Sequence, residues 1–237
     1  MAGSLDGRVL AVAGGAGNLG PTVVRRLAEE GSRACVCGRD RASLDALAAE
    51  IAEPIETDVV DLLDAAATNG WANDLAQRHD GRVDGLVHLV GGWRGGMPIE
   101  EAPLEDWDFL SALLVRTVQH ATQALAPHLI ESGRGRFVLV SAGQAQAPTH
   151  PNAAYAAAKA ASEAWTLALA DRFKKTRATA NIVVVGAIVT PAMREESPDK
   201  DFSTFTPAEE IAGAIVYLCS DDAASMNGQR LTLRGAA

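Results

Sequence analysis

The feature that most restricts the fold is an alternation that runs through nearly the whole chain. Short β-branched or apolar runs occur at Arg8–Ala13, Arg33–Cys37, Pro54–Thr57, Gly85–Val90, Arg136–Ser141, Ala180–Val185 and Gln229–Leu233. Longer segments with helical patterning lie between and after them, near Pro21–Glu30, Arg41–Ile51, Leu62–Gln77, Leu104–Ile130, Asn152–Phe173 and Pro207–Ser220. Several strand runs are apolar throughout, as strands covered on both faces are. The pattern predicts an α/β, doubly wound domain: a seven-stranded, mainly parallel sheet with helices on both faces. The chain has 237 residues, no internal repeat and no Pro/Ser-rich linker, so one domain is expected over residues 1–237.

Local signals agree with these boundaries. Gly31 and Gly133 stand where helices should close. Thr206 and Pro207, followed by Glu209 and Glu210, read as an N-cap, an N1 proline and acids near the positive helix end. Residues 191–206 are the one long irregular stretch and are expected to form a substrate loop or lid.

Charge and composition exclude several partner classes. Thirty acidic against 21 basic residues give a net charge of -9, which disfavours nucleic acid and anionic membranes. No uninterrupted apolar stretch of about 18 residues suggests a membrane span. Cys35 and Cys37 read as buried free thiols of a reducing, cytoplasmic compartment. No His or Cys cluster at ligand spacing accompanies them, so no metal site is expected.

Three motifs carry chemistry. Ala13-Gly14-Gly15-Ala16-Gly17-Asn18-Leu19-Gly20 follows the first strand and opens a helix. Such a loop lets backbone approach a pyrophosphate at a helix N-terminus, as in a Rossmann-type dinucleotide site. Cys37-Gly38-Arg39-Asp40-Arg41 ends the second strand. An acid there binds the ribose 2′-hydroxyl of NAD, whereas an arginine accommodates the 2′-phosphate of NADP. Arg39 favours NADP(H), and the neighbouring Asp40 leaves NAD(H) open. Tyr155 and Lys159 are four residues apart, on one face of a helix. An ammonium beside a phenol lowers its pKa and yields a candidate acid/base.

Together these motifs resemble the short-chain dehydrogenases/reductases of the roughly 250-residue branch, and the similarity runs from Leu5 to Leu233. Further matches are Asp58-Val59, and Asn181 to Gly186 followed by Ile188, Thr190 and Pro191. The resemblance implies that Asp58 and Val59 contact the adenine and that Ile188 and Thr190 hold the nicotinamide carboxamide. It also implies that Lys159 binds the nicotinamide ribose, that Gly91 lies beside the cofactor, and that the protein is a homotetramer or homodimer. The function implied is an NADP(H)-dependent oxidoreductase interconverting a carbonyl and an alcohol on a small organic substrate, with Tyr155 as acid/base.

The chain departs from the family at several positions. Ala13 replaces the usual threonine of the glycine loop and Asn18 its middle glycine, and Asn-Asn-Ala-Gly of the fourth strand becomes His88-Leu89-Val90-Gly91. The catalytic asparagine aligns with Leu114 and the catalytic serine with Ala142. Ser141 substitutes for that serine if the strand end turns it inward; otherwise Gln144, Gln146 or His150 are the available polar groups. Trp93, Gln144, His150 and Met193 are candidate substrate contacts. Because two family catalytic positions are changed, a non-redox lyase, isomerase or cyclase, or a non-catalytic cofactor-binding protein, is the alternative reading.

Overall fold

A computed structural model describes residues 3–235, so the ends of the expected domain, residues 1–2 and 236–237, lie outside the described residues. Strands β1 (Val9–Ala13), β2 (Arg33–Gly38), β3 (Glu56–Val59), β4 (Gly85–His88), β5 (Arg136–Ala142), β6 (Thr179–Val185) and β9 (Arg230–Thr232) form one sheet. Their order is β3-β2-β1-β4-β5-β6-β9, and every pairing is parallel. The expected seven-stranded doubly wound sheet is therefore present.

Strand periodicity divides the core into two layers. Leu10 and Val12 of β1 pack with Val23, Val24 and Leu27 of α1 (Gly20–Glu29), with Leu44 and Leu47 of α2 (Arg41–Glu50), and with Ile211 and Ile215 of α8 (Ala208–Cys219). Val9, Ala11 and Ala13 face the opposite layer. There they meet Trp71 and Leu75 of α3 (Ala65–Arg78), Val118 and Leu125 of α5 (Thr117–Glu131), and Phe173 of α6 (Ala153–Phe173). Alternate residues of one strand thus serve both faces.

Three expectations shift. β3 begins at Glu56, two residues beyond the expected Pro54, because proline has no N–H for the ladder and pairing starts at Glu56 opposite Cys35. The long central helix is α4 (Glu105–Leu110), a π-helical segment (Ser111–Arg116) and α5 in series. Thr206 is no N-cap: it pairs with Ile188 in a short ribbon of β7 (Ile188–Val189) and β8 (Thr206–Pro207), and Pro207 precedes the helix. That ribbon ties together the base of the expected lid, whose first turns form α7 (Pro191–Glu196).

At the other end of the sheet, Asp84 is 1% exposed. It accepts from the Val9 N–H at 3.0 Å and from Arg134 Nε and Nη2 at 2.9 and 3.0 Å. Asp84→Ala orphans the Val9 N–H and frees the Arg134 guanidinium, and is expected to destabilise the fold by about 3 kcal/mol. Urea unfolding of the variant against the parent measures this.

Candidate active site

The strand order reverses between β1 and β4, where neighbouring connections leave in opposite directions and open a crevice at the C-terminal strand ends. A cleft of ≈ 1280 Å³ lies there, lined by Gly14, Gly17, Asn18, Leu19 and Gly20 on one side and Tyr155 and Lys159 on the other. Gly14 has φ +80, and a Cβ on it would stand 2.8 Å from the Val90 nitrogen. By contrast, the only atoms near an added Cβ on Gly17 and Gly91 are backbone oxygens at 3.4 and 3.5 Å. The cleft floor is bare backbone beside the uncapped N-terminus of α1, which fits a dinucleotide pyrophosphate. Asn18 does not use a left-handed conformation, so the altered loop needs no special tolerance from it.

The end of β2 separates two roles. Asp40 caps α2, accepting from the Ser43 N–H at 2.9 Å and Ser43 Oγ at 2.5 Å, and these bonds hold its carboxyl below the ordinary range. Arg39 lines the cleft and has no hydrogen-bond or ion-pair partner among the described residues. Ile188, Thr190 and Met193 also line the cleft, with Thr190 Oγ1 capping α7 by accepting from the Met193 N–H at 3.3 Å.

Tyr155 is partly buried, and its hydroxyl has no partner among the described residues. Burial pushes the phenol above its ordinary value, opposite to the lowering expected from its neighbour. One turn on, Lys159 donates to the Val140 carbonyl at 3.0 Å. Burial draws Lys159 down to about 8, and the charge of Glu163 opposes that shift.

Glu163, 2% exposed, stands one further turn along α6. It accepts from Ser141 Oγ, Gln146 Nε2 and Arg230 Nε, each at 2.6 Å. Ser141 lines the cleft beside Ala142, but its hydroxyl is engaged by this carboxylate. β5 stays regular through Ala142, so Ser141 faces α6 and its hydroxyl is held by Glu163. Gln146 is bound to the same carboxylate. Leu114 sits in the π-helical segment at 2% exposure, packed with Leu110 and Ala158, and offers no polar side chain.

The structure also relocates Asp58, Val59 and His150. Asp58 and Val59 do not line the cleft; Val60, Asp61, Leu62 and Leu63 do. Because β3 extends through Val59, Asp58 is within the strand and faces α3, where it accepts from Trp71 Nε1 at 3.0 Å and Arg78 Nη2 at 2.6 Å. The Asp64 cap of α3 was the usable signal, since it marks the residues just before it, Val60 to Leu63, as the loop past the strand end. His150 is exposed and does not line the cleft, whereas Trp93, Gln144 and Met193 do. His88 is buried with neither ring nitrogen paired among the described residues, and burial holds it neutral by lowering its pKa to about 3. Away from the cleft, His79 does accompany Cys35, with its Nε2 at 3.6 Å from Cys35 Sγ and 3.3 Å from Glu56. Arg33 Nη1 lies 3.4 Å from the other ring nitrogen.

A parallel doubly wound sheet with this glycine cradle and a Tyr–Lys helix at one cleft defines a nicotinamide-dependent oxidoreductase. The short chain dehydrogenase family matches residues 8–201, and the chain belongs to that family. It is 31% identical to gluconate 5-dehydrogenase of Gluconobacter oxydans over 246 residues, covering 98% of this chain and 95% of the relative. It is 28% identical to 2,5-dichloro-2,5-cyclohexadiene-1,4-diol dehydrogenase of Sphingobium indicum, covering 99% and 98%. Among solved structures, NAD+-bound xylitol dehydrogenase superposes with a TM-score of 0.86 over 98% of this chain and 99% of that one, at 22% identity, a likeness of fold. The chain is thus an NAD(P)-dependent oxidoreductase of the carbonyl/alcohol class acting on a small molecule.

Glu163→Gln removes the negative charge that opposes the drop at Lys159. Lys159 should then titrate below about 8, read from its side-chain resonances in an NMR pH series. An unmoved or raised titration would show that the carboxylate does not support that ammonium.

Proposed function

We propose that this enzyme uses NADP(H) to interconvert a carbonyl and an alcohol on a small organic substrate, with Tyr155 as the acid/base. The observation that carries the cofactor preference is the division of labour after β2. Asp40 is taken up by Ser43 at the α2 cap, while the guanidinium of Arg39, on the cleft and without a partner among the described residues, is available for a 2′-phosphate. Leu19 and the glycine cradle would meet the pyrophosphate, Asp61 rather than Asp58 would meet the adenine, and Ile188 and Thr190 would hold the carboxamide.

A bound nicotinamide supplies the hydride donor for reduction and the acceptor for oxidation. The protein supplies the proton: Tyr155 gives it to the carbonyl oxygen in reduction and takes it from the hydroxyl in oxidation. Lys159 has one of its three hydrogens on Val140, leaving others for the nicotinamide ribose. Its ammonium would stabilise the phenolate once cofactor and substrate exclude water. Leu104, Trp107 and Phe109, all exposed around α4, support a homotetramer or homodimer.

Tyr155→Phe should abolish NADPH oxidation while leaving NADPH binding within about twofold by fluorescence titration. Retained turnover would exclude the phenol as acid/base, and substrate conversion at constant NADPH absorbance would instead favour a lyase or isomerase. Arg39→Ala should lower kcat/KM for NADPH about tenfold or more relative to NADH, the loss of one charge-assisted phosphate contact. An unchanged ratio would assign the 2′ position to another residue.

A further inference from the structure

Ala142 gives the cleft no hydroxyl at the family serine position, and Ser141 is held by Glu163. Two residues beyond Ala142, Gln144 lines the same cleft as Tyr155. Its amide belongs to a hydrogen-bonded chain whose direction is fixed at both ends.

The first end is Trp93. An indole N–H can only donate, and it reaches Asn152 Oδ1 at 2.9 Å. This sets the Asn152 amide, whose Nδ2 donates to Thr149 Oγ1 at 2.9 Å. With that bond accepted, the Thr149 hydroxyl donates to Gln144 Oε1 at 3.2 Å. The second end is the Thr149 backbone N–H, also only a donor, which reaches the same Gln144 Oε1 at 3.0 Å. A flipped Gln144 amide would set N–H against N–H, and a flipped Asn152 would do the same at Trp93. Both carboxamides therefore have one permitted orientation. The donor Nε2 of Gln144 is the free end of the chain and has no acceptor among the described residues. Each bond in such a series polarises the next, which strengthens the terminal N–H as a donor.

We propose that Gln144 is a catalytic residue: its Nε2–H donates the hydrogen bond to the substrate oxygen that a serine at position 142 would supply. Trp93, Asn152 and Thr149 are positioning residues that hold the amide in that polarity. The inference rests on the carbonyl/alcohol reading of the cleft. In reduction, negative charge grows on the substrate oxygen as the hydride arrives and before Tyr155 has given its proton. A fixed donor stabilises that charge without reorganising. The same chain gives Trp93 a task beyond walling the cleft, since its ring can move only by releasing Asn152.

The test uses the full chain with NADPH and three carbonyl probes: cyclohexanone, acetophenone and ethyl acetoacetate. Gln144→Ala should lower kcat by about 10²–10³-fold. NADPH affinity and thermal midpoint should stay at parental values. Adding Ala142→Ser to Gln144→Ala should restore about tenfold or more, because a hydroxyl at position 142 supplies the lost donor. Trp93→Phe, which releases Asn152, should cost less than Gln144→Ala and act on kcat rather than on NADPH binding. A Gln144→Ala enzyme within about threefold of the parent overturns the proposal. So does a double variant with no recovery, since a structural loss would not answer to a donor at position 142. If the parent enzyme reduces none of the probes, the donor role is judged by binding. The Gln144 side-chain amide signals, assigned by their loss in Gln144→Ala, should shift when acetophenone is added to the NADP+-loaded protein. Unmoved signals overturn it there too.

Discussion

Parallel pairing of β1 with both β2 and β4 is the constraint on which the site depends. Ala13 stands level with Cys37 on one side and His88 on the other, so three strands end along one line. Every connection leaving that edge begins on the cleft side: the glycine loop after β1, Arg39 after β2, and Gly91 to Trp93 after β4. The reversal of strand order parts these loops and leaves room for a dinucleotide. Small residues on β1 allow this closeness, since Ala11 and Ala13 are fully buried beneath the α3–α5 layer.

A second constraint is electrostatic. Glu163 is a buried carboxylate with three donors from three different elements: Ser141 on β5, Gln146 on the following loop, and Arg230 on β9. Burying such a charge is costly unless its oxygens are filled, and here they are. The arrangement fixes the loop that carries Gln144 relative to the helix that carries Tyr155 and Lys159. It also places a negative charge near an ammonium that burial alone would drive toward neutrality. Ser141 thus supports the site through the carboxylate behind it.

The fold was legible because its signals are local and repeated. Apolar runs, helical periodicity and terminal glycines such as Gly31 and Gly133, both with positive φ, each report on their own segment. The glycine loop, Arg39 and the Tyr155–Lys159 pair were legible for the same reason: close spacing within one loop or one helix. Asp58 was misplaced because a two-residue shift in β3 moves a side chain past the strand end, and the run Glu56-Thr57-Asp58-Val59 carries no strong apolar signal to fix it. The direction of the Tyr155 shift was misjudged because i and i+4 spacing brings two side chains to one face without saying how deeply the phenol is buried.

The sequence by itself determined the layer order, the cleft's place at the strand ends and the absence of the usual serine and asparagine. These follow from residue type and spacing along the chain. Only the tertiary structure decided that Ser141 belongs to Glu163, that Asp40 caps α2 while Arg39 lines the cleft, and that Trp93, Asn152, Thr149 and Gln144 form one directed chain. Each is a choice among partners 3 to 59 residues apart. Hydrogen-bond partnership depends on which donor and acceptor the packing brings within about 3 Å, and no local pattern in the chain encodes that distance.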